Sequence, residues 1–376
     1  MKKIGVLGGT FDPVHNEHVA LAKQVIRELQ LDKLIIMPTF CPPHKVHSES
    51  ASANDRLNMA RLAFDGENIE VNDYEITKQG TSYTYVTVEH LKNLYKDAEI
   101  FFIVGGDMLV DFKTWREPAR ILNSATLAVF GRTGFNAEFN KEEEYFIKTF
   151  GKKFVKLSYD GKNLSSTKIR IYKMFGLDIS DFVPEKVNEY IIKNDLYPSN
   201  GYIDIVKTLL PNKRLIHTAN VITCALDKAK PLFLNRDDVF TACCLHDAVK
   251  YVNPEKFPNC NLPENMPRPV QHAYLGEYFA RTQLGIKNQD ILNAIKYHTS
   301  GRAGMSNLEK LVFVADMIEE GRDYEGVETL RALYDVDFEK CFTECLKEEM
   351  IHLENKKTDI FYETVNAYKY YIEKGE

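Results

Sequence analysis

The 376-residue chain has one tryptophan, no CxxC spacing among its seven cysteines, no long apolar run and no excess of positive charge. Each shortage excludes a class of function. A bilayer-spanning helix needs roughly 20 consecutive apolar residues, and no stretch supplies them. Met1-Lys2-Lys3 runs straight into a short strand pattern with no signal-peptide core behind it, so the expected location is the cytoplasm. A formal net charge of -6 offers nucleic acid or an anionic membrane no bulk attraction, although local basic sites remain open. Cys243 and Cys244 are adjacent, and Cys341 and Cys345 are one helical turn apart. Such thiols read as reduced and buried rather than as a zinc set. A GxGxxG fingerprint is missing, which argues against a dinucleotide-binding dehydrogenase. There is no internal repeat and no low-complexity tract.

What remains is an ordinary globular composition, 44% hydrophobic and 27% charged, in a chain too long for one typical core. Two domains are expected, residues 1–195 and 203–376, joined by a linker over 196–202 that carries Pro198, Ser199, Asn200 and Gly201. The first alternates β-rich runs (Ile4–Leu7, Leu34–Met37, Ile69–Asn72, Ile100–Val104, Leu127–Phe130, Phe154–Leu157) with amphipathic stretches such as Glu17–Leu29 and Ala53–Ala63. Alternation of this kind predicts βαβ units on a parallel sheet, with ligands at the carboxyl ends of the strands. In the second, strand signals nearly vanish. Helices are predicted over Ile203–Leu210, Leu215–Lys228, Asp237–Lys250, His272–Leu284, Asp290–Tyr297, Leu308–Glu319 and Phe338–Lys356. The fold class is therefore α/β, a Rossmann-like domain followed by an all-α domain.

The first run ends in GGTFDPVHNEH, Gly8 to His18. Glycines allow the backbone to approach a ligand closely. His15 and His18, at i and i+3, share a helix face, and a helix N-terminus attracts anions. Together they describe a polyphosphate site. A second string, LSSTKIR (Leu164–Arg170), adds the hydroxyls of Ser165, Ser166 and Thr167 and the charges of Lys168 and Arg170. A third, GGDMLVDFKTW, places Gly105 and Asp107 at another strand's end and holds the single tryptophan, Trp115. Lone tryptophans are usually core residues, but an indole near a nucleotide can also stack on a flat ring.

The first string resembles the GTFDPxHxGH signature of the nucleotidyltransferase superfamily, and LSSTKIR resembles its ISSTxIR. FCPPHK (Phe40–Lys45) and GTSYTY (Gly80–Tyr85) are similar to segments of bacterial nicotinate-mononucleotide adenylyltransferases. The resemblance covers residues 1–195 and implies a nucleotidyltransferase domain that makes deamido-NAD and pyrophosphate from ATP and nicotinate mononucleotide with Mg²⁺. It implies that His15 and His18 are catalytic. ATP and its phosphates would meet Gly8, Gly9, Thr10, Phe11, Lys45, Gly105, Asp107, Ser165, Ser166, Thr167 and Arg170. Nicotinate mononucleotide would meet Thr81, Tyr83 and Trp115. Two positions depart from the pattern: Glu17 stands where glycine is usual, and Thr87 where aspartate is expected. On these rests an alternative reading, in which the first half binds ATP without transferring it and only the second half is active.

In the second half the doublet His246-Asp247 falls in an apolar stretch, Val239–Val249, read as helix. A buried His-Asp pair is more often a hydrogen-bonded core pair than a ligand set. Here it has company: His217, His272, His298 and Asp316 each lie on, or at the end of, a separate predicted helix. Buried carboxylates are costly unless paired or metal-bound, and imidazoles with carboxylates suit Fe, Mn, Zn or Ni.

The pattern H…HD…H…H…D is that of the HD phosphohydrolases, and CLHDAVK, YHTSGRAGM and LEKLVFVADMIEEGR resemble the HD enzymes that cut diadenosine tetraphosphate into two ADP. The resemblance implies two transition-metal ions, iron first, with Asp247 bridging. One ion would also be held by His217, His246 and Asp316, the other by His272 and His298. Lys250 and Arg302 would touch phosphate. The expected partners are ATP, nicotinate mononucleotide and diadenosine polyphosphates, with no nucleic acid and no membrane; a homo-oligomer is left open.

Overall fold

A computed structural model describes residues 1–41, 50–131, 136–159, 161, 164–357 and 359–373, with the backbone alone at 107 and 136–138. Its contacts divide the chain into two units. The first is Met1–Arg170 with Asp178–Pro198, and the second is Ile171–Leu177 with Ser199–Glu376. The break between Pro198 and Ser199 falls inside the stretch read as linker, whereas the assignment of Ile171–Leu177 to the second unit has no counterpart in the sequence reading.

All six expected strands form: β1 (Lys3–Gly9), β2 (Lys33–Pro38), β3 (Ile69–Val71), β4 (Glu99–Gly105), β5 (Thr126–Phe130) and β6 (Val155–Leu157). They pair in parallel in the order β3-β2-β1-β4-β5-β6. The strands are near-continuous apolar runs because helices cover both faces of such a sheet. One face of β1 and β4, through Ile4, Val6, Ile100, Phe102 and Val104, packs into a core with Val88, Leu91, Phe112 and Phe146. Strand order reverses between β1 and β4, so the crevice beyond their carboxyl ends is the binding position that the topology dictates. Both strands end there in glycine, Gly9 and Gly105. A Cβ on Gly9 would lie 3.0 Å from the Phe11 ring, so any larger residue there would have to displace that ring.

Among its described residues the second unit forms helices joined by turns and loops, with no strand. Asn212–Lys228, Arg236–Leu245, Arg268–Thr282, Gln289–Tyr297 and Asn307–Ile318 surround a buried polar centre, and Phe338–Asn355 packs outside them. Two helices, Val327–Val336 and Tyr362–Tyr368, were not predicted. One prediction is corrected. The helix expected over Asp237–Lys250 stops at Leu245, and His246-Asp247 begins a run of turns to Lys250. The apolar run reflects burial, which turns share with helices. Cys243, Cys244, Cys341 and Cys345 are buried free thiols. Among the described residues, no helix is long and apolar enough to cross a membrane.

Candidate active sites

In the first unit, His15 is the N-cap of helix Asn16–Leu29. Its ring stacks on that of His18 with centroids 3.6 Å apart and planes 24° apart. The backbone N–H of His15 donates to His18 Nδ1 at 3.2 Å, so neutral His18 carries its proton on Nε2. Phe11, buried and at φ 52°, meets the His18 ring edge-on at 5.1 Å. Burial lowers His15 to about 4, so this imidazole is neutral at neutral pH. Its Nδ1 is buried without a hydrogen-bond partner.

Beneath this loop lies a buried ionic cluster that the motif reading had not assembled. Asp12 Oδ1 accepts from the Tyr197 hydroxyl at 2.8 Å and from Ala51 N–H at 3.1 Å. Arg170 Nη1 donates to the Asp12 backbone carbonyl at 2.6 Å and lies 3.7 Å from its carboxylate. Arg170 is 5% exposed. The structure thus places it under the loop, as a brace, with Nε unpartnered. Arg56 donates to the carbonyls of Thr10, Thr39 and Phe40, tying the segments after β1 and β2 together. No sequence motif had pointed to Arg56 or Tyr197. A buried arginine with three carbonyl partners is a tertiary outcome.

Ser165 caps its helix by accepting from Lys168 N–H, and the Ser166 hydroxyl donates to the Pro13 carbonyl at 2.9 Å. LSSTKIR and the first motif therefore share one locus, and Thr167 lies 3.4 Å from Arg170 Nη2. Gly8 and Gly9 end β1, Thr10 follows, and Gly105 ends β4. Lys45 and the side chain of Asp107 lie outside the described residues. Thr81 bridges Cys41, and Tyr83 carries the Arg116 guanidinium 4.7 Å above its ring. Trp115 is half-buried against Phe112 and Phe102, a packing role that gives its ring no open face on these two sides.

The departures have local partners. Glu17 Oε2 accepts from the Tyr159 hydroxyl at 2.6 Å. Thr87 donates to Glu75 Oε1 at 2.6 Å, and burial raises that carboxyl. An aspartate at 87 would face another buried carboxylate there, whereas threonine supplies a proton.

In the second unit the six predicted ligands converge. Asp247, 1% exposed, turns its two oxygens to two different histidine pairs. Oδ1 lies 2.9 Å from His272 Nε2 and 3.5 Å from His298 Nε2. Oδ2 lies 3.6 Å from His246 Nε2 and 3.7 Å from His217 Nε2. Asp316 Oδ1 sits 3.1 Å from His217 Nε2. The outer ring nitrogens settle the tautomers. His246 Nδ1 faces the Cys243 carbonyl at 2.6 Å and His298 Nδ1 the Ile295 carbonyl at 2.8 Å. Carbonyls only accept, so these nitrogens bear hydrogen and the Nε2 lone pairs point inward. His217 Nδ1 likewise meets Glu319 Oε1 at 3.0 Å.

The inward-facing Nε2 atoms crowd one another, with separations of 3.3 Å for His246–His217 and 3.1 Å for His272–His298. Bare nitrogens and carboxylate oxygens at these distances fit divalent cations, with His217, His246 and Asp316 around one position and His246, Asp247 and His298 around another. Burial lowers His246 to about 3. Burial works against the Asp247 carboxylate, but His246, His272, His298 and Lys250 hold its carboxyl well below the usual range.

Sequence reasoning missed Glu319, Arg322 and Arg214. Arg322 Nη2 binds Asp316, and Arg214 Nη1 reaches Asp247 Oδ2 at 2.9 Å. Glu319 and Arg322 lie in the quoted string LEKLVFVADMIEEGR, but only the fold shows which carboxylate turns inward. Lys250 donates to both Asp247 oxygens at 3.1 Å. Arg302 is committed elsewhere: Nε and Nη2 grip Glu309, which is 0% exposed, at 2.9 and 2.8 Å, and Nη1 donates to the Ala303 carbonyl.

The two units match two families. Residues 6–171 match the cytidylyltransferase-like family and residues 214–321 the HD domain. The "Probable nicotinate-nucleotide adenylyltransferase" of Clostridium acetobutylicum is 41% identical over 199 residues, 52% of this chain and 100% of the relative. The "Probable nicotinate-nucleotide adenylyltransferase/Ap4A hydrolase" of Mycoplasma genitalium is 29% identical over 332 residues, covering 86% of this chain and 89% of its own length. A crystal structure described as a "predicted HD superfamily hydrolase involved in NAD metabolism", also from Clostridium acetobutylicum, is 28% identical. It covers 46% of this chain and 95% of its own, with a TM-score of 0.42. The chain belongs to the nicotinate-nucleotide adenylyltransferase family, in a form that continues into an HD hydrolase domain.

Proposed function

We propose that the chain is a bifunctional enzyme: its first unit transfers the adenylyl group of ATP to nicotinate mononucleotide, and its second cleaves diadenosine tetraphosphate to two ADP. The adenylyltransferase reading is carried by the stacked pair His15–His18 at the strand switch point, joined to the helix that starts at Ser166 through Ser166 and Pro13. The substrate phosphate attacks the α-phosphorus in line and pyrophosphate leaves. This chemistry asks the protein mainly for positioning and for charge stabilisation as the transition state develops. His18 presents an Nε2 hydrogen for that purpose, Ser165 and Thr167 face the departing phosphates, and Mg²⁺ accompanies the nucleotide.

The hydrolase reading is carried by the divided carboxylate of Asp247, each oxygen facing its own pair of imidazoles. When bound, two divalent metals, iron being the first expectation, polarise a phosphate and acidify water. The protein's own residues hold the geometry. Cys243 and Ile295 carbonyls and Glu319 fix the ring tautomers, and Arg214 and Lys250 add positive charge beside Asp247. The pairing with the Mycoplasma protein, whose name carries both activities, supports the same reading.

The test is incubation of purified full-length protein with ATP, Mg²⁺ and nicotinate mononucleotide, and separately with Mn²⁺ and diadenosine tetraphosphate, with products resolved by chromatography. Deamido-NAD in the first reaction and ADP in the second are expected. ATP retained without deamido-NAD would reduce the first unit to a nucleotide-binding module.

A further inference from the structure

One hydrogen-bonded chain in the second unit starts at a residue that no motif singled out. Tyr172 lies two positions beyond LSSTKIR, in the segment Ile171–Leu177 that counts with the second unit, and outside the residues that match the HD domain. Its side chain is buried, and its hydroxyl donates to Asn220 Oδ1 at 2.7 Å. Asn220 Nδ2 donates to Glu319 Oε2 at 2.9 Å, and Glu319 Oε1 meets His217 Nδ1 at 3.0 Å. Gly321 N–H donates to Glu319 Oε2 as well.

Each polarity in the chain is determined. An amide oxygen only accepts, so the tyrosine donates. A carboxylate only accepts, so Asn220 presents its NH₂ and His217 its Nδ1–H. Burial, with Glu320 and Glu319 nearby, raises the Tyr172 hydroxyl to about 12, so it keeps its proton. With its proton held on Nδ1, the neutral His217 ring has Nε2 available to a cation on the side of Asp247 and Asp316.

We propose that Tyr172 is a positioning residue for the metal centre, acting through Asn220 and Glu319 on His217. The inference rests on the reading of His217 as a metal ligand. The Asn220 amide has two orientations that differ by a flip. One of them aims Oδ1 at the Glu319 carboxylate, acceptor against acceptor. The Tyr172 hydroxyl selects the other by donating to Oδ1. Without it, a buried amide oxygen loses its donor, which is costly, and the amide no longer holds Glu319 in one rotamer. Groups that orient a metal-bound histidine in this way commonly change affinity by 10- to 100-fold.

The experiment uses the full chain, stripped with EDTA and titrated with Mn²⁺ by calorimetry, as wild type, Tyr172→Phe, Glu319→Gln and the double variant. Tyr172→Phe keeps the ring and removes only the hydroxyl. It should weaken Mn²⁺ binding by about tenfold while the thermal midpoint of the stripped protein stays near wild type, and excess Mn²⁺ should restore hydrolysis. If the residues act as one chain, the double variant binds no more weakly than Glu319→Gln alone. Unchanged Mn²⁺ affinity in Tyr172→Phe, or losses that multiply in the double variant, overturn the proposal. Should Tyr172→Phe not fold, Asn220→Ala cuts the same link and must weaken Mn²⁺ binding in its place; unchanged affinity there overturns the proposal equally. Wild-type protein that binds no Mn²⁺ would instead overturn the metal reading beneath it.

Discussion

The Tyr159 hydroxyl donates to Glu17 Oε2 at 2.6 Å, which turns the acidic side chain between His15 and His18 toward the segment after β6. A carboxylate beside a polyphosphate site would repel its ligand, and this contact directs it to a phenol. Tyr159→Phe should therefore raise the KM for ATP about fivefold, the effect of roughly 1 kcal/mol of like-charge repulsion. Adding Glu17→Gln should restore it. Steady-state adenylyl transfer measures both, and an unchanged KM in Tyr159→Phe would show that Glu17 does not face the nucleotide.

His15 makes stability depend on pH. Burial lowers its pKa to about 4 in the folded chain, from 6.5 unfolded. Between these values the unfolded chain binds the proton and the folded chain does not, so stability rises with pH through that window. The contribution is present above pH 6.5 and is lost as pH falls toward about 4, by up to roughly 3 kcal/mol. Thermal midpoints recorded across the window should fall less steeply for His15→Gln than for wild type.

Removing the shared carboxylate should separate the two activities. Asp247→Ala deprives four imidazoles of their common anion and leaves Arg214 and Lys250 facing one another's charge. Elemental analysis should show metal lost, and cleavage of diadenosine tetraphosphate should fall below detection. Adenylyl transfer in the first unit should stay within about twofold, as expected of an independent site.

Arg302→Ala should act on stability. Its loss leaves Glu309, fully buried, without its guanidinium partner, although Ser306 N–H still donates to it. Stranding a buried charge costs about 3 kcal/mol. Denaturant unfolding should register that loss, while Mn²⁺ affinity of the folded protein remains unchanged. A variant of wild-type stability that binds substrate poorly would return Arg302 to the phosphate site.

Much of this was legible in the linear chain. Strand and helix periods are local, so all six strands, two helices of the first unit and seven of the second could be read from the order of apolar residues. His15, His18 and LSSTKIR carry their chemistry in short strings. His217, His246, Asp247, His272, His298 and Asp316 stand out because buried imidazoles and carboxylates are too costly to accumulate without a partner. The His246-Asp247 doublet shows the limit. Its apolar neighbours signal burial, but a turn and a helix bury such residues alike.

By itself, then, the sequence determined the sheet-forming and helical halves, the phosphate motif and the identity of six candidate ligands, because these depend on side-chain chemistry and near-neighbour spacing. Tertiary structure alone decided the strand order that opens the crevice beside β1 and β4. It also decided the burial of Arg170 under the Asp12 loop, the commitment of Arg302 to Glu309 and the division of Asp247 between two histidine pairs. Those outcomes depend on which distant groups meet and which are shut away from water, and a buried charge takes its role from the partner that satisfies it.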